Sequence, residues 1–216
     1  MNLKTPEFIN SAILGFSQEL AGHNAQPTFV SVVTRKGAQA LDCYMNAREY
    51  AAATGGEVLY GWQIWEWPGV LLEAQFHAIV KLPDGGLVDV TPPEDGGARV
   101  LFVHTPGHAY GGKMVPSRQR AIAASEVVDR YIFAFGQYTK FRAKHFVDDG
   151  GEDAGVELRS NRDRWRLKEF QIKFTEAHAR LRRFSLNSPE VLPGPDVRCP
   201  CGSGEKVRKC HGPRSD

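Results

Sequence analysis

Glu73-Ala74-Gln75-Phe76-His77-Ala78-Ile79-Val80-Lys81-Leu82, then Pro83-Asp84-Gly85-Gly86, then Leu87-Val88-Asp89-Val90-Thr91-Pro92, is the stretch on which the reading of this 216-residue chain turns. Two apolar, β-branched runs joined by a Pro/Gly turn read as a β-hairpin. Side chains alternate faces along a strand, so the loop length decides whether His77 and Asp89 share a face. A loop that pairs residue 82 with 87 sets Val80 opposite Asp89 and sends His77 to the other face. A three-residue loop of Pro83, Asp84 and Gly85 pairs Leu82 with Gly86 and Ile79 with Asp89. His77 then lies diagonal to Asp89 at a Cβ separation of about 7 Å. Pro suits the first loop position and Gly the left-handed third. The sequence therefore predicts that loop, with a bulge at Gly85 and the Asp89 carboxylate in hydrogen-bonding range of the His77 ring.

Outward toward the N-terminus, Glu57 to Trp67 alternates and is aromatic, so it reads as a strand. Thr28 to Thr34 and Arg99 to Val103 read as two more. Thr5-Pro6-Glu7 has the form of a helix start, followed by Phe8, Ile9, Ala12, Ile13, Phe16 and Leu20 at helical spacing. Asp42 precedes a helix from Cys43 to about Ala53, stopped by Gly55-Gly56. Cys43 thus sits at a helix N-terminus, a position that favours a thiolate. With His77 as base and Asp89 as the carboxylate that orients it, the three residue types are those of a cysteine acyl-transfer site. Each also has a plain structural use: a buried thiol, a satisfied strand histidine, a turn-capping aspartate. Gln39, one turn before Cys43, is a candidate oxyanion donor. The aromatic run Gly61 to Trp67 serves either as core or as the wall of a substrate groove. It is not a base-stacking platform, because it carries Glu66 and no basic residue.

His77-Ala78 on one strand, a Gly turn and Asp89-x-Thr91 on the next, all after a helix-starting Cys43, resemble the transglutaminase-like branch of the papain-like superfamily. The chain order Cys, His, Asp and the gap between the first two agree with that family. The resemblance implies an α+β, papain-like domain with an antiparallel sheet over residues 1–116. It also implies Cys43 as nucleophile, His77 as base and Asp89 as the residue that holds the imidazole.

Beyond Ser117 the pattern turns helical. One helix is expected from about Arg118 to Phe146, broken by the acidic, Gly-rich stretch 148–155. A second starts near Asn161 with Leu167, Phe170, Phe174, Ala177, Leu181 and Phe184 along one narrow seam. Residues 117–185 therefore read as a helical pair, and the Pro-rich 186–197 as a semi-rigid linker.

The tail, 198–216, carries Cys199, Cys201, Cys210 and His211, with Gly202 and Gly204 turning the chain between the two ligand pairs. Three thiolates and an imidazole suit tetrahedral zinc, and a closed four-ligand set makes that zinc structural, one per chain. So short a segment has no core of its own, so the metal must supply the folding energy. Residues 197–213 closely resemble the SEC-C motif, the zinc-binding C-terminal element of the preprotein translocase ATPase. That resemblance implies zinc binding and a protein-contact surface. It does not carry over the ATPase, because no phosphate-cradling glycine loop with its Lys occurs here.

Composition narrows the rest. The 27 basic and 25 acidic residues give a net charge of +2, which excludes a strongly basic nucleic-acid binder. Residues 1–116 hold 7 basic and 11 acidic residues, whereas 117–190 hold 15 and 11. An RNA or ribosome contact on the basic half is a secondary expectation. No run is long enough for a membrane helix, and Glu7, Asn10 and Ser11 interrupt any secretory pattern. With three of four cysteines clustered in the tail, the expectation is a reduced, cytoplasmic protein. The leading functional expectation is a cysteine hydrolase or acyltransferase acting on an amide or thioester, positioned on a protein partner by its zinc tail. The alternative is a non-enzymatic adaptor that contacts a protein or ribosomal partner through the tail.

Overall fold

The computed structural model describes residues 3–33, 35–147, 155–187, 196 and 205–210. Strand β3 (Leu71–Lys81) and strand β4 (Leu87–Asp89) are antiparallel, with Val80 opposite Val88 and Lys81 opposite Leu87. The same register continues into the turn: the Leu82 N–H donates to the Gly86 carbonyl at 2.8 Å and the Gly85 N–H to the Leu82 carbonyl at 2.9 Å. Gly85 has φ +88°, the left-handed conformation the third loop position demands. The loop is Pro83-Asp84-Gly85, and Ile79 faces Asp89, as the sequence predicts.

The remaining strands are β1 (Thr28–Val32), β2 (Glu57–Trp67), β5 (Arg99–His104) and β6 (Arg118–Ala121). They run in the order β2-β5-β1-β4-β3, and β2 also pairs with β3 along its whole length, so five strands close into a barrel. Strand β6 adds to the outer edge of β3. The papain-like expectation of an antiparallel sheet is corrected at one place. Strands β1 and β4 run parallel, Ser31 beside Val88 and Val32 beside Asp89. The architecture is mixed α+β, with helices packed around this barrel. Val30, Ile79, Val100 and Phe102, each at most 1% exposed, form one buried cluster joining β1, β3 and β5. Burial of each such side chain contributes about 1.5–3 kcal/mol.

Gly61 on β2 is where the closed barrel is tightest. A Cβ there would lie 2.1 Å from the Val103 carbonyl oxygen and 2.7 Å from the Phe102 ring. Neither a backbone carbonyl nor a buried ring end can give way cheaply. We expect Gly61→Ala to destabilise the fold by about 1–3 kcal/mol or more. A thermal midpoint equal to the parent's would show that the barrel is looser than described.

Two helix starts differ from the sequence reading. Helix α1 (Ser11–Ala21) begins after Asn10, not Thr5, because the Asn10 side chain accepts the Ile13 N–H at 2.9 Å. Helix α2 (Cys43–Thr54) starts where expected and ends on Gly55, which has φ +71°. The long helix expected from Arg118 is a strand first: β6 takes residues 118–121, and helix α3 (Glu126–Lys144) starts after Ser125, whose hydroxyl accepts the Val127 N–H. A two-strand ladder, β7 (Phe146–Val147) with β8 (Gly155–Val156), links it to helix α4 (Asn161–Asn187). The expected seam on α4 faces α3, with Phe170 against Phe141 and Phe174 stacked on Tyr138. Leu181, fully buried, joins Trp67, Val70, Leu71, Val128 and Tyr131 in a cluster that ties the helical pair to the barrel. Among the described residues no helix is long and apolar enough to cross a membrane.

Candidate active site

Strand β4 covers Val80 and Lys81 on the outer edge of β3, and β6 covers Leu71 to Ala74. The edge from Gln75 to Ile79 lies between them. Helix α2 packs Ala47 and Ala51 against Ala78 and Val80, which brings its first turn to that edge. There the Tyr44 hydroxyl donates to the Phe76 carbonyl at 3.1 Å, and Cys43 and His77 line one cleft. The His77 Nε2 lies 2.8 Å from an Asp89 carboxylate oxygen. The other Asp89 oxygen accepts the Thr91 N–H at 2.9 Å. Cys43 and His77 are each 7% exposed and Asp89 is 1% exposed. The structure thus brings all three sequence-selected residues together.

Their electrostatics follow from the arrangement. Burial opposes a charged imidazole. The charge and hydrogen bond of Asp89, with those of Cys43 added, outweigh it and raise His77 to about 10. His77 is therefore an imidazolium at neutral pH. Burial, with the nearby Cys43 as the next cause, pushes the Tyr44 hydroxyl above its ordinary range, so it remains a donor.

A cleft of about 140 Å³ opens onto the three residues, with Gln63, Trp65, Gln75 and Pro92 among its walls. Leu41, also in that wall, is 79% exposed and has φ +69°, an uncommon conformation for a residue with a branched side chain. Such strain two residues before a candidate nucleophile fits a loop held for function.

Gln39, the candidate oxyanion donor, is not among the residues that line this cleft. It is exposed, and its N–H and carbonyl are both tied to the Asn46 side chain, at 3.2 and 2.7 Å. Asn46 also donates to the Thr91 hydroxyl at 3.2 Å, so one buried amide fastens the loop before Cys43 to the residues after Asp89. Asn46 was missed; its signal is a polar residue one turn after Cys43 on the same helix face. Gln63 was missed too. It is 4% exposed, and it lines the cleft with Cys43. The N–H groups of the first turn of α2 have no helical acceptor, and Asp42 gives them no side-chain cap. Cys43 and Tyr44 of that first turn line the cleft together with Gln63.

The tail ligands Cys199, Cys201 and His211 lie outside the described residues, and of Cys210 only the backbone, at the end of helix α5 (Val207–Cys210), is described. Among the described residues there is no cluster of three or more His, Cys, Asp or Glu side chains arranged for a metal. The carboxylate of Asp196 pairs with both Lys206 and Arg208, at 3.3 and 3.1 Å.

Compared with family models, with curated proteins and with solved structures, the chain finds no match in any of the three. The functional reading therefore stands on the geometry of the chain itself.

Proposed function

We propose that the chain is a cysteine-dependent acyl-transfer enzyme, a hydrolase or acyltransferase of the transglutaminase-like kind, acting on an amide or thioester. The supporting observation is the buried Asp89–His77–Cys43 relay at the start of α2. The Cys43 thiolate attacks the substrate carbonyl carbon and forms a C–S bond. The tetrahedral oxyanion is met by the N–H groups at the start of α2 and by the Gln63 amide. As it collapses, the C–N or C–S bond to the leaving group breaks, and the His77 imidazolium supplies that group's proton. Neutral His77 then takes a proton from water or an acceptor amine, whose attack releases the acyl group, breaks the C–S bond and restores the Cys43 thiolate with the His77 imidazolium. Asp89 keeps the imidazole oriented throughout. Alkylation resolved at Cys43, in the parent and in His77→Ala, tests this reading. Slow labelling of Cys43 that appears only on unfolding would overturn it in favour of the adaptor.

The tail, in this proposal, is a structural zinc knuckle held by Cys199, Cys201, Cys210 and His211. The soft donor set fits it, as do the ion pairs of Asp196 with Lys206 and Arg208, which join the two flanks of the ligand-bearing segment. Its role is to place the enzyme on a protein partner, in a reducing cytoplasm where the thiols persist. We expect purified protein to hold about one zinc per chain. The Cys199→Ser/Cys210→Ser pair should lose it while the circular dichroism of the barrel is unchanged. Equal zinc content in that variant would remove the assignment.

A further inference from the structure

A cavity larger than the cleft over Cys43 lies elsewhere among the described residues. It is an open hollow of about 690 Å³ between the outer face of the barrel, β6 and α3. Trp62 and Phe76 form its floor, Ile132, Phe133 and Phe135 its apolar wall. Arg118 and Lys140 stand at it, and no Asp or Glu is among the residues that line it. Neither cation is engaged in an ion pair among the described residues. Arg118 sits 5.9 Å over the Trp62 ring, its guanidinium above the apolar floor. The volume is that of a small-molecule site, and its make-up is an apolar body with charge of one sign.

The hollow is joined to the candidate active site. Phe76 lines both. Its carbonyl holds the Tyr44 hydroxyl, and Tyr44 adjoins Cys43 in sequence. Tyr44 in turn stacks on Tyr110, 3.8 Å between centroids, beside the hollow's Ala109. Trp62 meets Phe76 edge-on at 5.3 Å. A continuous aromatic wall therefore runs from the residue next to Cys43 to the floor of the hollow.

We infer that this hollow binds the remote part of the substrate, an apolar chain or ring that ends in a carboxylate or phosphate, with Arg118 and Lys140 taking the anionic end. As a substrate subsite it rests on the acyl-transfer reading above. As an anion-selective amphiphile site it rests on the hollow alone. Gly136 of α3 supplies a clean block. It lines the hollow, and a Cβ there meets nothing within 4 Å. Replacing a mid-helix glycine favours the helix, so Gly136→Leu fills the hollow without unfolding the chain.

The test is calorimetric titration of the full chain with decanoate, decyl phosphate, decanol and decyltrimethylammonium. Decanoate or decyl phosphate should bind, and whichever binds tighter identifies the anion the site prefers. Decanol and the ammonium should bind at least tenfold more weakly. Gly136→Leu, and Arg118→Glu/Lys140→Glu, should each weaken the anionic probes at least tenfold, with thermal midpoints close to the parent's. Equal binding of all four probes, or anion binding unchanged in both variants, overturns the inference. Alkylation of Cys43 is read on the same samples. Anion binding with an inert Cys43 supports the site and overturns the enzyme. A reactive, His77-dependent Cys43 without anion binding overturns the site alone.

Discussion

Iodoacetamide at pH 6.5 should label Cys43 of the folded chain faster than it labels the same residue in urea, and His77→Ala should slow the folded reaction about 10–100-fold. An ordinary thiol, titrating near 8.5, is only about 1% thiolate at that pH. In the folded site the His77 imidazolium, sustained by Asp89, shares the cleft with Cys43 and stabilises the anionic sulfur as it attacks. The start of α2 adds its unpaired N–H groups. Loss of the imidazolium removes the largest of these. The labelled peptide must be resolved by mass spectrometry, since Cys199, Cys201 and Cys210 also react when metal-free. A His77→Ala rate equal to the parent's would reduce the His77–Cys43 contact to packing.

Asp89→Ala should lower stability by about 3–5 kcal/mol at pH 6.5, since it strands a buried imidazole that the fold otherwise holds charged. For a chain of this size that is a fall of roughly 6–20 °C in thermal midpoint. The pH dependence carries the diagnostic sign. In the parent, His77 titrates above its unfolded value of about 6.5. Its contribution is complete below that value and is lost as pH rises toward about 10. Without Asp89, burial is the dominant influence and lowers the His77 value, so the variant loses stability toward acid instead. The gap between parent and variant should therefore be wide at pH 6 and narrow by pH 9.5. A gap that widens with pH would show that His77 is neutral in the fold. Asn46→Ala, which loosens the loop before Cys43, should leave that pH profile intact.

The hairpin was legible because its geometry is local. Pro83, Asp84 and Gly85 specify a turn, the turn specifies a register, and the register puts His77 beside Asp89. Cys43 was legible for a similar reason, since a polar residue before an alternating helical run and a Gly-Gly stop mark both ends of α2. What escaped depends on contacts between distant segments. Barrel closure requires β1 to lie parallel to β4 and β2 to find β5, and no short-range pattern encodes either pairing. Residues 118–121 carry two arginines and a glutamine and continue a helical composition, but the exposed edge of β3 recruits them as a strand. Gln63 and Asn46 are single amides whose importance lies in what surrounds them once the chain has folded.

The parallel pairing of β1 with β4 also fixes an order of assembly. The contact between His77 and Asp89 spans 12 positions and can form with its own tight turn. The ladder from Ser31 to Val88 must gather the whole intervening chain, including α2 and the β2–β3 hairpin, before it gains a single bond. Loop closure over that span is entropically costly, and topologies dominated by distant pairings fold slowly. The base and its carboxylate thus belong to an early, self-contained unit, while the sulfur is delivered when α2 docks. On the nascent or refolding chain, a thiol that is only a thiol precedes the competent centre, and reactivity at Cys43 marks completion of the fold.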